Sequence, residues 1–182
     1  MRKAILNLAP AALAIIAMTG VSYAATNAQV IVTADVVAAS CDVSLSTNNL
    51  DLGNFTPKAF TTIATPVAAS VKPFTVGLNN CDAPLKAGDT ASLIVSGQVL
   101  GGNPNIFNTT GTNTGIMLNK KGSASYITSG QKLQVATAAA TSAGDFNAKT
   151  LSLEAGLAST SIGNSVDIGH VNAPILFSFA YN

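Results

Sequence analysis

Short apolar alternations separated by Gly, Pro and Asn, a chain that stops inside such an alternation, and no convincing run at helical period together predict an all-β fold, a sandwich of immunoglobulin type. About eight short strands at spacings near ten residues account for the chain from Val30 onward. The last of them is the most informative. From Val171 every second residue is apolar (Val171, Ala173, Ile175, Phe177, Phe179 and Tyr181), the period of a strand with one buried face. An aromatic in the penultimate position needs an anchor, because chain ends otherwise fray.

The 182 residues suit one domain. They open with Met1-Arg2-Lys3, an apolar run from Ala4 to Met18 interrupted by Asn7 and Pro10, and then Ser22-Tyr23-Ala24. A charged start, an apolar stretch and a small-x-small site read as a secretory signal peptide, residues 1–24, cut after Ala24. The apolar run is shorter than the roughly 20 residues of a membrane-spanning helix. Removing Arg2 and Lys3 leaves seven lysines against eight carboxylates, a net charge of −1. Scattered, nearly balanced charge offers no footprint for nucleic acid or an anionic membrane. A weakly charged surface rich in Ala, Thr, Ser, Asn and Gly suits packing against copies of itself.

In chain order, Val30 to Val37 reads as a strand rich in β-branched residues, with Val30, Val32, Ala34 and Val36 on one face. Ala38 to Leu45 continues extended, and Leu50 to Phe55 forms another short alternation after the Asn48-Asn49 turn. Pro57 and Pro66 bracket a loop. Val71 to Asn80 is the next clear strand, turning Phe74, Val76 and Leu78 to the core, and Ala91 to Val99 follows a turn-rich connection. Gly101 to Asn105 breaks the chain, and Thr109 to Thr114 reads as a loop. Gly115 to Asn119 then leads through a Lys120-Lys121-Gly122 turn to short strands around Tyr126-Ile127 and Leu133 to Val135. Ala136 to Asp145 is a small-residue loop, and Thr150 to Ala158 is a strand with Leu151, Leu153, Ala155 and Leu157 on one face. Ser159 to Ser165 turns into the final strand.

The chemistry on offer is sparse. Cys41 and Cys81 are the two cysteines; an even pair in an exported chain most simply forms one disulfide. The alternative, two free or metal-binding thiols, has only His170 to assist. One histidine also argues against a Ser-His-Asp triad, and the carboxylates lie mostly in or beside turns, with no acid/base couple among them. No nucleotide fingerprint is present and no cofactor is implied. The composition does not point to an enzyme.

The extended segment ending in Ala39-Ser40-Cys41, the Leu52-Gly53-Asn54-Phe55 turn, the run Phe74 to Cys81 and the terminal Gly169 to Asn182, with Gly fourteen residues from the end and Tyr next to last, occur in one order. In this the chain resembles the fimbrial (pilus) subunits of the chaperone–usher pathway of Gram-negative bacteria, of the type 1 major pilin kind. The resemblance spans essentially the whole chain after Ala24. It implies an incomplete immunoglobulin-like sandwich that lacks its final strand and is completed by a donor strand from another chain. Residues 25–37 would then be an N-terminal donor extension presenting Val30, Val32, Ala34 and Val36, and residues 38–182 the pilin domain. Gly169, Ile175, Phe177, Phe179 and Tyr181 would mark the groove edge that a periplasmic chaperone covers.

The implied partners are other copies or related pilus subunits, the chaperone, an outer-membrane usher and a host surface receptor. The implied destination is the fimbrium at the cell surface, reached through the periplasm. The expected function is a structural subunit of an adhesive fimbria; the alternative is a single-domain adhesin or minor tip subunit that grips a host glycan or protein. Two positions depart from the type 1 pattern. Ala34 stands where that pattern tends to have Gly, and Gly156-Leu157 where a large polar and an aromatic residue are more common.

Overall fold

The computed structural model describes residues 40–182, in which nine strands and four short 3-10 turns follow one another. The strands are β1 (Asp42–Leu45), β2 (Lys72–Asn79), β3 (Thr90–Gly97), β4 (Val99–Leu100), β5 (Asn103–Phe107), β6 (Thr114–Lys120), β7 (Lys132–Thr137), β8 (Thr150–Ser159) and β9 (Ile175–Tyr181). They form a six-stranded sheet in the order β1-β2-β8-β6-β5-β4 and a three-stranded sheet in the order β7-β3-β9. Every pairing is antiparallel. The all-β sandwich expected from the strand spacing is the fold observed.

Period-2 patterning explains which side chains meet between the sheets. Val76 and Leu78 from β2, Leu118 from β6 and Leu153 from β8 are fully buried against Leu93 and Val95 from β3 and Leu133 from β7. Phe107 and Phe146 fill the same core. The outer face of β6 and β8 carries a second, smaller cluster of Ile106, Met117 and Ala158. Between β3 and β4 the chain passes from one sheet to the other at Gly97. A Cβ there would lie 2.9 Å from Phe107 Cδ1 and 3.0 Å from Pro174 O, so only glycine lets the crossing run this close to the core.

Cys41 and Cys81 are disulfide-bonded, with Cα atoms 4.1 Å apart, and tie the residue before β1 to the second residue beyond β2. Polar bonds repeat the same clasp. The Ser40 hydroxyl donates to Asp82 Oδ2 at 2.6 Å, and the Asp82 amide donates to the Ser40 carbonyl at 2.9 Å.

Four local expectations are corrected. The chain from Asn103 to Phe107 is strand β5, not a break, although it contains Pro104. The ladder partners Leu100↔Asn103 and Val99↔Phe107 are separated by a register shift, so Pro104 sits where no ladder bond requires its missing N–H. Leu50 to Phe55 is not a strand: no backbone ladder reaches it, and Leu50 and Leu52 pack on the core from an irregular segment. The final strand begins at Ile175, not Val171, because its partner β3 ends at Gly97 opposite Ile175 and Pro174 cannot donate. Beside Ser129-Gly130, only β7 is a full strand; Tyr126 makes a single bridge to Asn119.

Candidate strand-accepting groove

β9 is an edge strand with an unusual division of labour. Thr90 and Asn182 exchange both backbone bonds, at 2.8 and 3.0 Å, which sets the phase of the β3–β9 ladder. Alternation then aims the amides and carbonyls of Leu176, Ser178 and Ala180 at β3. Those of Ile175, Phe177, Phe179 and Tyr181 point to the open edge, and among the described residues no strand pairs with them. The side chains of these same four residues face the core. β1 repeats the arrangement on the other sheet. The Ser46 amide donates to the Thr75 carbonyl at 3.0 Å, so Val43 and Leu45 turn their backbone groups away from β2; Val43 packs on the core and the exposed Leu45 lines the groove.

Between these edges runs a groove of about 1470 Å³. Its floor is apolar: Phe74, Ile116, Leu118, Ala155 and Leu157 from the larger sheet, with Ile175 and Phe177 as one wall. Phe74 and Phe177 meet edge to face across the two sheets, with ring centroids 6.1 Å apart. The opposite rim is the segment from Thr47 to Phe55, which includes the Leu50 to Phe55 stretch expected to be a strand. Lys72 Nζ donates to the Asp51 carbonyl at 2.6 Å, and the Gly53 amide to Asp51 Oδ1 at 2.9 Å, which hold that rim in place. The volume exceeds the roughly 300–1,000 Å³ typical of small-molecule clefts. An elongated apolar trough lined by two unpaired backbone edges suits an extended chain better than a compact ligand.

The anchor for Tyr181 lies at the end of β9, beyond the residues that line this groove. Its hydroxyl donates to the carboxylate of Asp89, which is only 5 % exposed, and accepts the Leu85 amide at 3.0 Å. Its ring packs edge-on against Phe146 with centroids 6.2 Å apart. The Lys86 amide gives the carboxylate a second donor at 2.9 Å. The Tyr181 hydrogen bond, aided by the Lys86 amide and ammonium, holds the Asp89 pKa below the ordinary 3.8. Desolvation, then the Asp89 hydrogen bond, raise the Tyr181 pKa above 10.0. Asp89 was legible in the sequence only as a turn residue, since nothing in its neighbourhood names a partner 92 positions away.

At the other end, Gly169 lies in the irregular approach to β9, and its Cβ position would meet Thr112 at 3.5 Å. Of the residues expected to mark the edge, Ile175, Phe177, Phe179 and Tyr181 share one face of β9, and Gly169 stands apart from the strand at the groove's mouth. Val30, Val32, Ala34 and Val36 lie outside the described residues. Gly156 has a reason of its own: a Cβ there would come within 2.7 Å of Pro66 Cβ and 3.1 Å of Val71 Cγ2. The segment before β2 crosses β8 at this point, bonded through the Val67 amide to the Leu157 carbonyl at 2.8 Å.

The model of the fimbrial protein family matches residues 27–182. The crystal structure of the P pilus rod subunit PapA superposes with a TM-score of 0.54 at 20% identity, covering 85% of this chain and 99% of that one. A subunit from the structure of a chaperone–usher pilus does so with a TM-score of 0.54 at 19% identity, covering 86% of this chain and 96% of that one. No curated protein matches the sequence. With the family model spanning nearly all of the chain, and a sandwich that shares the fold of a pilus rod subunit, this protein belongs to the fimbrial protein family and is a structural, non-enzymatic pilus component.

Proposed function

We propose that this chain is a subunit of an adhesive chaperone–usher fimbria and polymerises by donor-strand exchange. The observation that carries the reading is the edge of β9, where the backbone groups of Ile175, Phe177, Phe179 and Tyr181 have no strand partner among the described residues and where Ile175 and Phe177 wall an apolar groove. A folded domain that exposes such an edge invites aggregation unless another strand covers it. Residues 1–24 direct export to the periplasm, where a chaperone lends the covering strand. At the outer-membrane usher, residues 25–37 of a neighbouring subunit replace it.

The donor inserts Val30, Val32, Ala34 and Val36 toward the groove floor. Three valines buried at about 1.5–3 kcal/mol each contribute about 5–9 kcal/mol before ordering costs. The backbone ladder to Ile175, Phe177, Phe179 and Tyr181 adds to this. An antiparallel donor matches every pairing in the described fold.

Deleting residues 25–37 tests the proposal. The truncated subunit is expected to be recovered with its chaperone and to fail to dock into a preceding subunit, read as loss of SDS-resistant multimers on unheated gels. Phe179→Asp, which sets a charge on the groove side of β9, is expected to reduce chaperone complex recovered from the periplasm. Normal polymerisation by the truncated chain would refute the donor assignment, and an unchanged Phe179→Asp yield would refute the edge assignment.

A further inference from the structure

The two most exposed large apolar side chains in the described fold lie beyond opposite ends of β9. Leu85 is 70 % exposed, in the turn whose amide binds the Tyr181 hydroxyl; Ile168 is 89 % exposed, in the approach to β9 just before Gly169. Each has a charged neighbour of opposite sign, Lys86 beside Leu85 and Asp167 beside Ile168, and both charged residues are exposed. The Ile168 end is firmly built. The Asn113 amide donates to Asp167 Oδ2 at 2.9 Å, and the Asp167 amide to Asn113 Oδ1 at 2.9 Å. The Leu85 end is held by the Asp89–Tyr181 contacts and by Cys81, four residues upstream. A single exposed apolar residue means little alone; two on rigid ends with complementary charges are a pair of surfaces.

Chain length decides what meets them. A donor strand antiparallel to β9 enters the groove at the Tyr181 end and leaves at the Ile175 end, beside Asp167 and Ile168. Only Ala38, Ala39 and Ser40 separate Val37 from Cys41, and Cys41 is bonded to Cys81 at the Leu85 end of the donating copy. Four residue steps reach at most about 14 Å. The Cys41–Cys81 clasp of each donor therefore lies within that reach of the point where its strand leaves the acceptor, which turns the Leu85 end of the donor toward the Ile168 end of the acceptor.

We infer that successive copies of this chain dock end to end, the Asp167-Ile168 surface of the acceptor against the Leu85-Lys86 turn of the donor. This inference rests on the strand-exchange reading above. The contact is head to tail, so it repeats along a fibre without closing on itself. It orients each subunit on the next, which a three-residue connector alone does not do.

The test is photo-cross-linking of the assembled full-length protein carrying Ile168→p-benzoylphenylalanine, an exposed position whose replacement leaves the core intact. Irradiated fibres are expected to give covalent dimers whose linked peptides map to Asp82–Gly88 of a second copy, with yield lost on Leu85→Gly. SDS-resistant polymer that gives no cross-link, or cross-links mapping elsewhere, would overturn the docking and leave strand exchange intact. Failure to form any SDS-resistant polymer, with unsubstituted protein failing equally, would overturn both.

Discussion

Gly156→Ala probes how tightly the lid over β8 is packed, and so how the groove floor at Leu157 is held. The added methyl would sit 2.7 Å from Pro66 Cβ, whereas relaxed carbon contacts lie at about 3.5–4.0 Å. The segment from Pro66 to Val71 must therefore retreat by about 1 Å. Two bonds oppose the movement: the Val67 amide to the Leu157 carbonyl, and the Leu157 amide to Ser70 Oγ, both 2.8 Å long. Stretched by that amount they leave hydrogen-bonding range. Overpacking costs about 1–3 kcal/mol and weakened bonds about 1 kcal/mol, while alanine recovers about 0.4–1 kcal/mol by restricting the unfolded chain.

A net loss of about 1–3 kcal/mol is expected, which in urea unfolding moves the midpoint down by about 1 M at typical slopes. Gly101→Ala is the control, because a Cβ there meets nothing within 4 Å. It should unfold at or slightly above the wild-type midpoint. If Gly156→Ala unfolds within about 0.3 M of wild type, the lid yields freely and the packing account of Gly156 is wrong.

Three further outcomes are open to measurement. Tyr181→Phe removes the donor that keeps the Asp89 pKa below 3.8. A carboxylate whose folded pKa is lowered stabilises the fold above its unfolded pKa and loses that contribution as pH falls through the folded value. The gap in melting temperature between wild type and Tyr181→Phe should thus be full at neutral pH and close below pH 3.8; a gap independent of pH would refute the linkage. At the alkaline end the raised Tyr181 pKa predicts that wild type loses stability as pH climbs past 10.0, a limb that Tyr181→Phe lacks. Replacing Cys41 and Cys81 by serine together opens a loop with a sequence separation of 40. The loop-entropy model gives a loss of about 4 kcal/mol, measurable as a lower urea midpoint under non-reducing conditions, and an unchanged midpoint would show the clasp of Ser40 and Asp82 suffices.

Much of this could be read along the chain. Alternation at Phe74, Val76 and Leu78, at Leu151, Leu153, Ala155 and Leu157, and at Ile175, Phe177, Phe179 and Tyr181 assigned those residues to strands and to one inward face, because a pleat reports its buried side every second residue. That the sandwich is open on one side was implied only by the resemblance to fimbrial subunits, since alternation identifies a strand and its buried face but not the strand beside it. Where a single strong breaker occurred the reading failed. Pro104 hid β5, since a sequence does not show that a register shift has already excused its missing amide. Leu50 to Phe55 alternates like a strand, yet whether such a segment is a strand depends on a neighbouring edge within bonding distance, and here it forms the groove rim instead.

What the linear order determined, then, is periodicity: strands, their buried faces and the paired cysteines. What only the tertiary structure decided is partnership. Asp89 as the anchor of Tyr181, Pro66 as the reason for Gly156, and β1 and β9 as the two lips of one groove all join residues far apart in the chain. Local propensity is written in neighbours, whereas contacts of this kind arise only when the two sheets close on a common core, and no spacing rule encodes them.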